Sequence, residues 1–184
     1  SPFDTAFARL MCRLEGRESP ELMLAASLVA GRTAGGDVCL DLPSLARGEL
    51  SDLPEVEIPA SVEPWMDALR KTKVVGEPGK YRPLVLDGAG RLYLYRYWKY
   101  ESDLARNLDR MARGQRSDYS PELLAEGLGR MFGSQSSDEP DLQRLAAAVA
   151  VMRSLCVISG GPGTGKTSTV VRVLALLAEQ ALAR

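Results

Sequence analysis

The sequence predicts two unlike parts. Residues 1–133 read as a mostly α domain with one β-hairpin (α+β), and residues 141–184 as the first βα unit of a P-loop α/β domain, truncated after that unit. Three observations carry this. Near the end of the chain a Gly-rich loop stands between a short apolar run and a helix free of Gly and Pro. Earlier, helical apolar spacing recurs behind Ser-Pro-Glu starts. Between the two parts, Gly133-Ser134-Gln135-Ser136-Ser137-Asp138-Glu139-Pro140 is polar and reads as a linker over 134–140.

Taken in order, Phe3, Phe7, Leu10, Met11 and Leu14 keep helical spacing, with Gly16 as a stop. Ser19-Pro20-Glu21 supplies an N-cap, a first-turn proline and a first-turn acid. It opens a nearly all-apolar helix from Leu22 to Gly31, expected at the centre of the core. Val38 to Leu42 predicts a short strand, Pro43 to Glu49 a brief helix, and 51–60, with Pro54 and Pro59, a loop. Ser61 caps the next helix, on which Val62, Trp65, Met66 and Leu69 form an apolar stripe. Arg70, Lys71 and Lys73 cluster at its C-terminal end and read as a solvated helix end, where cations suit the dipole.

Pro83 to Asp87, the Gly88-Ala89-Gly90 turn and Arg91 to Arg96 predict a β-hairpin. It runs into an aromatic stretch, Tyr93, Tyr95, Tyr97, Trp98 and Tyr100, interleaved with Arg91, Arg96 and Lys99. Three readings stay open there: core packing, a protein-docking surface, or stacking on nucleic-acid bases. Glu101 to Arg113 predicts a helix with Leu104, Leu108 and Met111 on one face. Ser120-Pro121-Glu122 starts another that ends at Gly133. Beyond the linker, a helix from Asp141 carries Leu142, Leu145, Ala146, Val149 and Met152, and Leu155 to Ser159 reads as a buried parallel strand. The last helix, 168–184, is apolar almost all round and is expected to be buried against a sheet.

Net charge is −1 and the pI about 5.6, which excludes a protein that is strongly basic overall. Any nucleic-acid contact is then a local patch or lies outside this chain. Cys12, Cys39 and Cys156 are odd in number and widely spaced, which points to a reducing cytoplasm rather than a disulfide scaffold. Histidine is absent, which removes His-based metal sites and triads. No apolar run approaches the length of a membrane span.

The chemistry concentrates in Gly160-Gly161-Pro162-Gly163-Thr164-Gly165-Lys166-Thr167, which fits the phosphate-binding pattern G-x-x-x-x-G-K-[ST] in full. Glycines let the backbone take positive φ and approach an anion closely. Their N–H groups and the start of the following helix stabilise polyphosphate charge. Lys166 is placed to reach the β- and γ-phosphates of a nucleotide, and the Thr167 hydroxyl to coordinate Mg²⁺.

The run Gln143 to Ala150, followed by Val157 to Thr167, resembles the opening of the motor domain in the RecD family, the alpha chains of exodeoxyribonuclease V in the bacterial RecBCD complex. Ser159-Gly160-Gly161-Pro162-Gly163-Thr164-Gly165-Lys166-Thr167 is the form typical of RecD-like superfamily 1 helicases. Val38-Cys39-Leu40 and Arg91 to Leu94, with Arg96 and Trp98, resemble the family's N-terminal domain. The resemblance implies an ATP-driven 5′-to-3′ DNA helicase subunit with a RecA-like motor fold, working beside RecB- and RecC-like subunits in double-strand break repair. It implies ATP and Mg²⁺ at Gly160 to Thr167, with Ser168 standing where Thr is frequent. Gln143 resembles the glutamine that contacts adenine; a surface glutamine at a helix start is the other reading. The N-terminal domain would dock partner subunits, and single-stranded DNA would be gripped mainly by motor sequence beyond residue 184. The acidic pair and the arginine that turnover needs are expected there as well, so these residues alone imply nucleotide binding without hydrolysis. A docking module and a different P-loop NTPase are the competing functions.

Overall fold

The structure, a computed structural model, describes residues 1–50, 58–59, 61–133 and 140–183. The chain is mostly helical with a small four-stranded mixed sheet. It divides into two compact units, Ser1–Asp103 and Leu104–Arg184. Most of the expected loop over 51–60 and residues 134–139 of the expected linker lie outside the described residues.

In the first unit, α1 (Pro2–Glu15) stops at Gly16, which is left-handed at φ 84°. It packs on α2 (Pro20–Ala34), capped by Ser19, whose side chain accepts from the Leu22 N–H. Small residues let the two helices approach. Ala8, Ala25, Ala26 and Ala30 are buried, and a Cβ on Gly31 would lie 3.3 Å from Asp4 Oδ2. The inward side of α1 is therefore Asp4, Ala8, Met11 and Cys12, while Phe3, Leu10 and Leu14 of the predicted series are exposed. Helix α2 is the centre of the core, as its composition predicts. α3 (Leu42–Ala46) and α4 (Val62–Arg70) complete the helical layer, with Trp65 donating its indole N–H to the Glu21 carbonyl at 3.0 Å. Ser61 occupies the N-cap of α4 without a side-chain bond.

The sheet runs β1 (Leu40–Asp41), β4 (Arg91–Leu94), β3 (Leu84–Leu86), β2 (Val75–Gly76). β3 and β4 form the predicted antiparallel hairpin, with Leu84 opposite Leu94 and Leu86 opposite Leu92. Asp87 holds the turn by accepting from Ala89 and Arg91 N–H groups, at 3.0 and 2.9 Å. Gly90 is required there: φ is +81°, and a Cβ would meet Pro43 Cδ at 2.8 Å. The predicted strand at 38–42 shrinks to two residues because Leu42 already starts α3. β2, which two residues are too short to announce, pairs parallel with β3. The connection between them, residues 77–83, is exposed throughout.

Chain after the hairpin turns helical at once. α5 (Tyr95–Arg113) starts six residues before the predicted helix, placing Tyr95, Tyr97, Trp98 and Tyr100 on a helix. None of its residues is buried, and Leu104, Leu108 and Met111 form an exposed stripe. In the second unit, α6 (Pro121–Phe132), α7 (Leu142–Met152) and α8 (Lys166–Leu182) share one core: Leu124, Leu128, Ala147, Val151, Val173 and Leu176. On α7 the buried side is Ala147 and Val151, whereas Leu142, Leu145 and Met152 of the predicted series are exposed.

Two expectations for this unit are corrected. The segment 155–159 is no strand: among the described residues nothing pairs with it, and a parallel strand exists only by pairing. Helix α8 is buried on one side only, since Val170, Val171 and Leu174 are exposed where no sheet covers them. Among the described residues no helix is long and apolar enough to cross a membrane.

Candidate phosphate-binding site

The site sits where α7 and the segment 155–159 meet the start of α8. Asp141 caps α7 by accepting from the N–H groups of Gln143 and Arg144, at 2.9 and 3.1 Å. This brings Gln143 beside the loop. Its side-chain amide donates to the Thr164 carbonyl at 3.1 Å, and a Cβ on Gly165 would lie 2.6 Å from its Nε2. Gly163 and Gly165 are left-handed, at φ 77° and 78°, so the loop folds back and delivers Lys166 as the first residue of α8. Gly160 is equally confined: a Cβ there would meet Thr164 Oγ1 at 2.7 Å. Thr164 in turn donates its hydroxyl to the Gly161 carbonyl at 2.9 Å.

Lys166 folds over the loop. Its ammonium donates to the carbonyls of Gly160 and Gly161, at 2.6 and 2.5 Å. Helix α8 has no side-chain cap, unlike α2, α6 and α7, so no capping side chain accepts from its first N–H groups. An uncapped helix start, a cation and a glycine loop that side chains would fill together fit a polyphosphate anion. A cavity of about 490 Å³ lies alongside, lined by Gln143, Gly160, Thr164 and Lys166.

The structure thus gathers Gln143, Gly160, Thr164 and Lys166 at one cavity, with Gly161 and Gly165 shaping the loop. Pro162, Gly163, Thr167 and Ser168 do not line it; Thr167 and Ser168 stand exposed in the first turn of α8. For a metal, the protein offers the Thr167 hydroxyl but no cluster of three acidic, Cys or His ligands among the described residues. Mg²⁺ held here would take its other oxygens from phosphate and water, which is its usual habit. Asp141 and Thr169 are among the lining residues that sequence reasoning missed. Asp141 was read only as the start of a helix. Thr169, 2% exposed, bonds the Gly165 carbonyl through its hydroxyl at 3.0 Å; its spacing four residues after the loop's last glycine was the available signal.

Comparison with known proteins places these features in context. Residues 1–93 match the family model described as RecBCD enzyme subunit RecD, N-terminal domain, and residues 143–183 match an AAA domain. The chain is 36% identical over 181 residues to the RecBCD enzyme subunit RecD of Mycolicibacterium smegmatis, covering 98% of this chain and 30% of that protein. It is 36% identical over 179 residues to the protein of that name from Mycobacterium tuberculosis, covering 97% and 28%. With the one from Buchnera aphidicola of Acyrthosiphon pisum, identity is 29% over 113 residues, 61% of this chain and 18% of that one. The chain therefore spans less than a third of the length of these relatives.

Proposed function

Because this chain belongs to the RecD family of RecBCD enzyme subunits, we propose that it forms part of an ATP-dependent 5′–3′ DNA helicase subunit. In this reading residues 1–133 are the accessory domain, 134–140 the linker and 141–184 the start of a P-loop, RecA-like motor domain. The whole protein would act in the cytoplasm with RecB- and RecC-like subunits on single-stranded DNA, in double-strand break repair and recombination. The observation that carries it is the Gly160–Thr167 loop, with Lys166 at the head of an uncapped helix. The free state of all three cysteines agrees with a reducing compartment.

The residues present do the binding part of the chemistry. Glycine N–H groups and the α8 terminus would cradle the phosphate oxygens, and Lys166, which donates to the Gly160 and Gly161 carbonyls, would turn to the β- and γ-phosphates. Thr167 would supply one oxygen to Mg²⁺, and Gln143 braces the loop through the Thr164 carbonyl while lining the cavity beside it. Bound MgATP supplies the phosphoryl group whose transfer drives movement. The test is Lys166→Gln in the full-length protein, with DNA-stimulated ATP hydrolysis as the readout. A fall of at least a hundredfold is expected, by the roughly 10²–10³ cost of losing one electrostatic stabiliser; activity equal to wild type sinks the motor reading.

One observation favours a second reading, an assembly module. No residue of the 19-residue α5 is fully buried, so packing lends it little support, and its exposed Leu104, Leu108 and Met111 stripe suits a groove on a partner subunit. Retention of the chain by purified RecB- and RecC-like subunits tests this. Leu108→Asp is expected to abolish retention, and undiminished capture of that variant counts against it.

A further inference from the structure

Charge is segregated along the first unit. Positions 70–99 hold eight Lys and Arg against two acids, Glu77 and Asp87, whereas positions 1–69 hold five against twelve. The fold turns this bias into a face. Two neighbouring cavities, about 360 and 180 Å³, share Lys73 and Arg82 in their walls. The larger also takes in Leu14, Tyr81, Pro83 and Tyr95, and its volume falls within the range of small-ligand sites. The smaller adds Arg70 and Lys80. Among the described residues Lys73, Arg82 and Arg96 form no ion pair.

Aromatic rings line the same face. Tyr81, on the exposed connection between β2 and β3, is 83% exposed and meets Tyr95 edge-on at 4.8 Å. Trp98 continues the row, 5.9 Å from Tyr95. Tyr95 and Trp98 are only half-buried. An apolar core does not leave a ring 83% exposed, and an acidic partner needs cations but not an exposed ring backed by further aromatics. Unpaired cations beside open rings are the two elements that bind single strands: charge for phosphates, ring faces for bases that are not stacked in a duplex.

We propose that this face of the first unit, built on Tyr81, Arg82, Lys73, Tyr95 and Trp98, is a binding site for single-stranded nucleic acid. It goes beyond the motor reading, since it needs neither nucleotide nor the phosphate loop. The local cations hold the backbone, and the exposed ring of Tyr81 stacks on a base.

Fluorescence anisotropy of labelled oligo-dT with the 184-residue chain, without nucleotide and at low salt, tests it independently of any ATPase measurement. Tyr81→Ala is expected to weaken binding by about tenfold or more. Arg82→Ala is expected to reduce the slope of log K against log salt by about 0.7. Arg9→Ala, on the exposed side of α1, serves as the control and is expected to leave both unchanged. Circular dichroism establishes that each variant is folded. Single strands are expected to bind more tightly than a duplex of equal length. Oligo-dT binding that is absent, or equal in wild type, Tyr81→Ala and Arg82→Ala, overturns the site. So does poly-glutamate competing as well as oligo-dT per unit charge, which would mark an acidic protein as the occupant.

Discussion

Tyr93 is the one member of the aromatic stretch that is buried, at 2% exposure. Burial is the main cause that pushes its phenol well above the ordinary tyrosine range, and negative charge on Cys39 or Glu101 would add to it. A phenol becomes charged by losing its proton, so the fold favours the protonated form. The stability this contributes is full below the unfolded phenol's pKa of about 10 and falls as pH rises past it. Denaturant titrations from pH 7 to 11 are expected to show wild type losing stability above pH 10, at a slope approaching about 1.4 kcal/mol per pH unit. Tyr93→Phe is expected to lose distinctly less; equal slopes would contradict the assignment. Burial likewise raises the Cys39 thiol, so it is no activated nucleophile. At this scale the phosphate loop was legible because an anion needs contiguous glycines, a cation and a hydroxyl. Thr169 and Asp141 were not, since helix caps and first-turn threonines look alike wherever they occur.

Among the elements, α6 and α8 show what local pattern can and cannot tell. Gly127 on α6 lets α8 in: a Cβ there would meet Leu176 Cδ2 at 2.5 Å, whereas one on Gly129 would meet nothing within 4 Å. Gly127→Ala is expected to lower stability by about 1–3 kcal/mol through overpacking. Gly129→Ala is expected to raise it by up to about 1 kcal/mol, because alanine loses less backbone freedom in a helix. Thermal melts of the two variants read the opposite signs, and shifts in the same direction would refute the packing. Gln180 ties the same two helices, accepting from the Ser120 N–H at 2.7 Å and donating to the Ser120 carbonyl at 3.2 Å. Most helix positions and caps were readable from the sequence, the start of α5 excepted, but the buried faces of α1 and α7 were not. Both helices carry apolar residues on two edges, and contact with a neighbour selects the edge with smaller side chains, Ala8 on one and Ala147 on the other.

At the scale of the whole molecule, each unit has its own core. In space α6, which precedes the polar stretch 134–140, shares its core with α7 and α8. That grouping rests on contacts such as those of Leu124 and Leu128 with residues far along the chain, which no local window contains. The strand expected before the loop failed for a related reason: a sheet is a collective object, and one apolar segment does not make its partners. The segregated charge of the first unit has a kinetic consequence. A molecule that is nearly neutral in sum but divided in sign carries an electric dipole. An approaching polyanion is turned and drawn toward the cation-lined side of that unit before any contact forms. Such a field acts on how often a productive encounter happens more than on how long it lasts.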